Sequence, residues 1–203
     1  MDIFKQWMNS KDCLDIYNKI VFENIKKEYM EDSLSSWEMD SLGMYYHEHE
    51  LSNMNKEKYD IVNFNELNEE PSINGYNIWN DIKYPKYELV RIAGTVLDRD
   101  KNKHIVTVLT LDGVVSVKFY SGQFSFYDKT ISTMDKETSK KITLESGWFK
   151  KGEKLLITGF RRGDTFVPKK YKNSIYRHTV QKIININSKG DLELQSDRVQ
   201  IEE

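Results

Sequence analysis

Between Arg161 and Arg177 the chain interleaves cations with aromatic rings: Arg161, Arg162, Phe166, Lys169, Lys170, Tyr171, Lys172, Tyr176 and Arg177. These two side-chain types suit a single nucleic-acid strand. Cations neutralise phosphates and release counterions, and exposed rings stack on bases for about 1–3 kcal/mol each. The plainer reading of the same residues is an edge hairpin whose lysines discourage pairing with another sheet. Two smaller groups extend the candidate surface. Lys118 and Tyr120 alternate with Val115, Val117 and Phe119, so a strand there puts the apolar set in the core and leaves Lys118 and Tyr120 to a ligand. Arg99, Lys101 and Lys103 crowd a polar turn upstream.

Other chemistry is poorly supported. The run His47-Glu-His-Glu50 invites a metal, but histidines two apart on a helix point about 200° away from each other and cannot share one ion. His104 and His178 stand alone, with no placed Ser, Cys or carboxylate partner for catalysis. The single cysteine, Cys13, excludes an internal disulfide, no Cys/His cluster offers a zinc site, and a reducing cytosol is the expected compartment. No apolar run approaches the ~20 residues of a membrane span, and the first residues lack the apolar stretch of a signal peptide, so a soluble cytoplasmic protein is expected.

A net charge of -2 over 203 residues conceals two halves of opposite sign. Residues 1–80 carry 7 Lys/Arg against 16 Asp/Glu, whereas residues 81–203 carry 23 against 16. The basic charge is densest between Lys140 and Lys182, where 12 Lys/Arg face 3 Asp/Glu, enough to attract a polyanion.

The elements that must position these residues follow from periodicity. Leu14, Tyr17, Val21, Ile25 and Tyr29 form an apolar stripe that predicts a helix over residues 12–30. Ser35 followed by Glu38 offers a capping box for a second helix running to about His49. Residues 52–87 show no clean period and are expected to be a partly ordered connector. Strands are then predicted over 89–97, with Gly94 at a bend, over 104–111, and over 114–120 after an Asp112-Gly113 turn. A short helix is expected over 131–144 and a fourth strand over 154–161. After a turn at Gly163-Asp164, the return is broken at Pro168 and resumes over 178–186. Three strands, a helix and a hairpin are the order of an OB barrel. The expected class is therefore α+β, a five-stranded antiparallel OB-fold barrel preceded by a small helical segment.

Several stretches resemble the C-terminal region of the DNA polymerase III alpha family. The family segment W-E-x-x-x-L-G-F-Y-x-S-G-H-P-L is matched here at Trp37, Glu38, Leu42, Gly43, Tyr45, His49 and Leu51, with His47, Glu48 and Glu50 replacing Ser, Gly and Pro. The barrel part resembles the family through Ile92-Ala-Gly-Thr-Val96, the run from Leu109 to Phe119, Trp148-Phe-Lys-Lys-Gly152, the run from Thr158 to Phe166, and Pro168-Lys-Lys-Tyr171. The family's palm acids and N-terminal metal domain find no counterpart, so the resemblance implies a non-catalytic part of a DNA polymerase that needs no cofactor. Gln123-Phe-Ser-Phe-Tyr127 loosely resembles the peptide by which replication proteins grip the sliding clamp, but Phe124 and Phe126 are as well suited to covering the barrel.

The expected organisation is a helical lead-in over residues 1–51, a connector over 52–87, an OB-fold domain over 88–187 and a tail over 188–203. The expected ligand is single-stranded DNA template. The expected partners are the remaining polymerase polypeptide or the holoenzyme subunits, among them the sliding clamp. The alternative is an adaptor that docks on clamp, clamp loader or polymerase core.

Overall fold

The computed structural model describes residues 10–29, 34–134 and 140–200. They fall into two compact units, residues 1–50 and 51–203.

In the first unit, helix α1 (Lys11–Tyr29) forms where the apolar stripe predicts it, with Leu14, Tyr17 and Ile25 exposed. Helix α2 (Leu34–Leu42) ends seven residues before the expected His49, because Gly43 takes a φ of +76° and stops the helix. His47 and His49 are therefore not on a helix. The predicted capping box does not form either. Ser35 lies inside α2 and its hydroxyl donates to the Glu48 carbonyl at 2.8 Å. Glu38, buried, turns instead to the bend after the helix. Its Oε2 accepts the Tyr46 and His47 N–H groups at 2.9 and 3.0 Å, and its Oε1 lies 2.5 Å from His47 Nδ1. The His47 backbone N–H bond leads the interactions that hold the Glu38 carboxyl below the usual range.

The 3-10 turns at Glu50–Asn53, Glu57–Tyr59 and Phe64–Glu66 precede the strands of the second unit. Residues expected as a partly ordered connector are in part built into this unit. Met54 and Ile61, with Leu51 from the end of the expected lead-in, are buried against Ala93, Leu156, Ile183 and Leu192. Residues 73–87 then form an antiparallel hairpin, β1 (Ile73–Trp79) and β2 (Ile82–Tyr87), turned by Asn80 and Asp81 at φ values of 48° and 61°. Asn and Asp tolerate this left-handed conformation, which matches a hairpin to the strand twist.

Next come β3 (Val90–Asp100), β4 (Ile105–Thr110) and β5 (Gly113–Lys118), joined as antiparallel neighbours. The register shift that lets β3 bend lies between Val96 and Asp98 rather than at Gly94. Gly94 serves close approach instead, since a Cβ there would sit 3.0 Å from the Leu109 carbonyl oxygen and 3.1 Å from the Val108 side chain. Val115, Val117 and Phe119 are buried as the alternation requires.

The following segment departs from expectation. The helix is α3 (Ser121–Asp128), and the predicted helix over 131–144 is replaced by two strands, β6 (Ile131–Met134) and β7 (Lys141–Glu145). Residues 135–139 of that expected helix lie outside the described residues. Ile-Ser-Thr-Met and Lys-Ile-Thr-Leu-Glu are rich in β-branched side chains, and burial of Phe124 fixes α3. Gln123-Tyr127 thus sits in a helix with Phe124 turned into the core, not as a free peptide for a clamp.

The barrel is completed by β8 (Lys154–Arg162) and β9 (Thr165–Pro168), joined at Gly163, whose φ of +57° suits the turn. The sequence of neighbours is β3-β4-β5-β9-β8 and back to β3. All joints are antiparallel except β5 to β9, which is parallel. The expectation of an all-antiparallel barrel is corrected here for a geometric reason. Strand directions that alternate around an odd ring must meet one neighbour running the same way. The return strand breaks after Pro168 and resumes as β10 (Val180–Ile186) beside the first half of β8. The expected tail adds β11 (Leu192–Gln195) to β10. The interior is filled by Val96, Val106, Val117, Trp148, Ile157 and Phe166, all fully buried, at about 1.5–3 kcal/mol for each large aliphatic or phenylalanyl side chain taken from water. The result is an α+β unit around a closed five-stranded mixed barrel. No helix among the described residues is long and apolar enough to cross a membrane.

Candidate nucleic-acid interface

On the outside of the barrel a groove of about 670 Å³ runs between two walls. One wall is the β1–β2 hairpin, presenting Asn77, Trp79, Ile82 and Tyr84. The other is the barrel surface, presenting Tyr120, Phe160, Arg162, Lys169 and Tyr171. No acidic side chain lines it.

The strands explain how these side chains converge. Phe160 and Arg162 are two apart on β8, so they share one face, and Arg162 lies over both the Phe160 and Tyr87 rings at 5.5 and 5.4 Å while donating to the Tyr87 hydroxyl at 3.0 Å. Tyr120, just beyond β5, has the Lys169 ammonium 5.4 Å over its ring, and the same ammonium lies 6.0 Å from the Tyr171 ring. Tyr171 accepts the Tyr87 N–H at 2.9 Å through its hydroxyl, which ties the foot of the hairpin to the barrel. Burial pushes the Tyr171 phenol above its ordinary value. The barrel wall thus offers Arg162 and Lys169 held against rings, the Lys86 ammonium of β2 lies 5.5 Å over the Tyr171 ring, and Trp79 and Tyr84 are exposed opposite the barrel wall.

Of the residues singled out from sequence, Tyr120, Arg162, Lys169 and Tyr171 meet here. Others are engaged elsewhere. Arg161 points the opposite way from Arg162. Its guanidinium stacks over Phe64 at 4.6 Å and donates to the carbonyls of Leu67 and Gly163 at 2.8 Å, which makes it a structural clasp. Phe166 is cross-strand partner of Arg161, faces inward and is fully buried, so it has no face to offer a base. Arg99 is ion-paired to Asp128, with Lys101 3.5 Å from the same carboxylate, and Lys103 is 3.8 Å from Asp100. None of the three lines the groove. Lys118, Lys170, Lys172 and Arg177 are exposed, with the Lys170 ammonium donating to the Arg177 carbonyl at 3.2 Å. Tyr176 packs under Arg91 at 5.0 Å.

The hairpin wall was missed from sequence. Its signal is the pair Asn80-Asp81 between Trp79 and Ile82, a two-residue turn flanked by apolar residues. Among the described residues no three His, Cys, Asp or Glu side chains are placed to hold a metal ion.

Fold and site together define a small mixed β-barrel with a cationic, ring-lined groove on its flank. The chain is 44% identical over 201 residues, 99% of its length, to a protein of Bacillus subtilis strain 168 named probable DNA polymerase YorL. It shows the same identity and coverage with a protein of Bacillus phage SPbeta named DNA-directed DNA polymerase. The chain spans 15% of the length of each. No protein-family model matches it, and no solved structure does.

Proposed function

We propose that this chain is an OB-fold module of a replicative DNA polymerase of the polymerase III alpha kind, and that it binds single-stranded DNA template in the groove without catalysing nucleotide addition itself. The observation that carries the reading is the convergence of Arg162 and Lys169 with Tyr120 and Tyr171 on one acid-free surface. Such a surface pairs phosphate neutralisation with base stacking, as single-strand sites on OB barrels do. The ring of five strands with a helix inserted after the third supports the OB assignment. The names of the two relatives, both DNA polymerases, support a place in DNA replication; the proposed setting is the cytoplasm, beside the rest of a polymerase and its holoenzyme subunits.

Fluorescence anisotropy with labelled oligo-dT tests this. Arg162→Glu with Lys169→Glu should weaken binding about tenfold or more, whereas Lys101→Glu with Lys103→Glu should change it much less. Equal losses from both pairs would remove the groove from the account.

One observation favours a rival. Ile16, Tyr17, Ile20 and Phe22 of α1 are all more than half exposed, which suits an adaptor that docks on clamp, clamp loader or polymerase core. Capture of such a partner that survives the Arg162 and Lys169 reversals, with no oligo-dT binding by the wild-type chain, would favour that reading.

A further inference from the structure

The β1–β2 hairpin is an odd place to spend aromatic residues. Two strands alone have no second layer to cover their faces, and such a ribbon is only marginally stable in water. Yet Tyr76, Ile78, Trp79, Ile82 and Tyr84 are between 49 and 71% exposed, a concentration of apolar surface of the kind that marks a binding site. Trp79 is opposite Ile82 and Asn77 opposite Tyr84, and the two-residue period puts these four side chains on one face of the ribbon. All four line the groove, together with Ile78 and Pro85 of the other face. The turn at Asn80 and Asp81 holds Trp79 at the tip, while the foot is fixed by the Tyr87 to Tyr171 bond, by the Tyr87 ring 4.6 Å from Phe160, and by the Glu88 N–H donating to the Ser72 carbonyl at 2.8 Å.

We infer that this hairpin is a stacking platform for unpaired bases, with Trp79 and Tyr84 as its rings, and that it makes the groove selective for single-stranded over duplex DNA. The inference rests on the DNA-binding reading and adds to it the residues that read strandedness. Charge complementarity fixes the occupant's orientation. Phosphates go to the barrel wall, where Arg162 and Lys169 stand, and bases go to the hairpin wall toward its tip, which carries Trp79, Tyr84 and the amide of Asn77, while Lys86, near the hairpin's foot, lies 5.5 Å over the Tyr171 ring. In a duplex both faces of every internal base are covered by its neighbours, so the platform finds nothing to stack on. A chain of sugar and phosphate without bases satisfies the cations and leaves the platform empty.

The test compares oligo-dT, an abasic strand of equal length and a duplex of equal length, binding to the full chain and to three variants. Wild type should prefer oligo-dT to both other probes. Trp79→Ala with Tyr84→Ala should lower oligo-dT affinity on the order of tenfold to a hundredfold, abolish the preference over the abasic strand, and leave the salt dependence intact. Trp79→Phe should keep most of the preference, and Arg162→Glu with Lys169→Glu should weaken oligo-dT and the abasic strand alike. Trp79 and Tyr84 are exposed, so thermal unfolding of the barrel should not shift in their variants. If the double alanine variant keeps the wild-type preference for bases, or loses both single strands equally, the platform is overturned while DNA binding stands. If wild type binds no single strand at all, the DNA reading falls and the platform with it.

Discussion

Replacing Arg198 with alanine should destabilise the barrel unit by about 3–5 kcal/mol, the range for leaving one member of a buried ion pair alone. Arg198 lies beyond the last strand in what the sequence presents as a tail, yet it is 6% exposed. Its Nε lies 3.1 Å from Glu145, its two terminal nitrogens donate to the carbonyls of Phe126, Tyr127 and Ser146 at 2.6 to 3.2 Å, and its guanidinium lies 5.8 Å from the Trp148 ring. One side chain therefore joins α3, β7 and the end of the chain. Without it, three carbonyls lose a donor and the Glu145 carboxylate keeps only the Trp148 indole, the Gln195 amide and the Val199 N–H. Urea unfolding should show the loss. Arg198→Ala combined with Glu145→Gln should lose less than the sum of the two, because the uncompensated charge is gone.

A pH signature accompanies this. Desolvation pushes the Glu145 carboxyl up, but the bonds from Trp148 and Val199 and the charge of Arg198 outweigh it, and the net shift is downward. A carboxyl lowered on folding contributes stability that is fully present above its unfolded value of about 4.3 and is lost as pH falls through the folded value. Wild-type stability should accordingly fall on acidification below about pH 5, and more steeply than that of Arg198→Ala.

Phe166→Ala should cost a comparable amount, about 3–5 kcal/mol, through lost burial and the cavity left behind. Phe166 is fully buried on β9, on the one strand that must pair both in parallel with β5 and antiparallel with β8. Its loss weakens the joint that closes the barrel. The measurement separates two roles. A core Phe166 lowers the unfolding midpoint in urea and leaves oligo-dT affinity nearly unchanged under conditions where the variant is folded. A stacking Phe166 would do the reverse.

That contrast shows what was legible in the sequence. Arg161 and Arg162 are neighbours of identical type, and composition assigns both to a ligand. Strand alternation sends one inward over Phe64 and the other to the groove, and the partner of the inward one is Phe166. Strands β4 and β5 were readable because one face of each is buried, which imprints a two-residue period on the sequence, whereas β3, buried on both faces from Ile92 to Val96, was readable from its β-branched composition. Hairpin β1–β2 was not, because both its faces are largely exposed and no inside-outside alternation remains. Only its Asn80-Asp81 turn left a local trace. The helix after β5 was misplaced because Phe124 is fixed by packing against His104, Phe119 and Phe149, contacts that no local period encodes.

A single strand lying against Arg162 and Lys169 makes oligo-dT binding salt-dependent, and a salt titration tests that most directly. Each neutralised phosphate of a single strand contributes about -0.7 to the slope of log K against log salt. Two groove cations predict a slope of about -1.4 or steeper, flattening by about 1.4 in Arg162→Gln with Lys169→Gln. No binding at low salt, or binding that salt leaves unchanged, would contradict it.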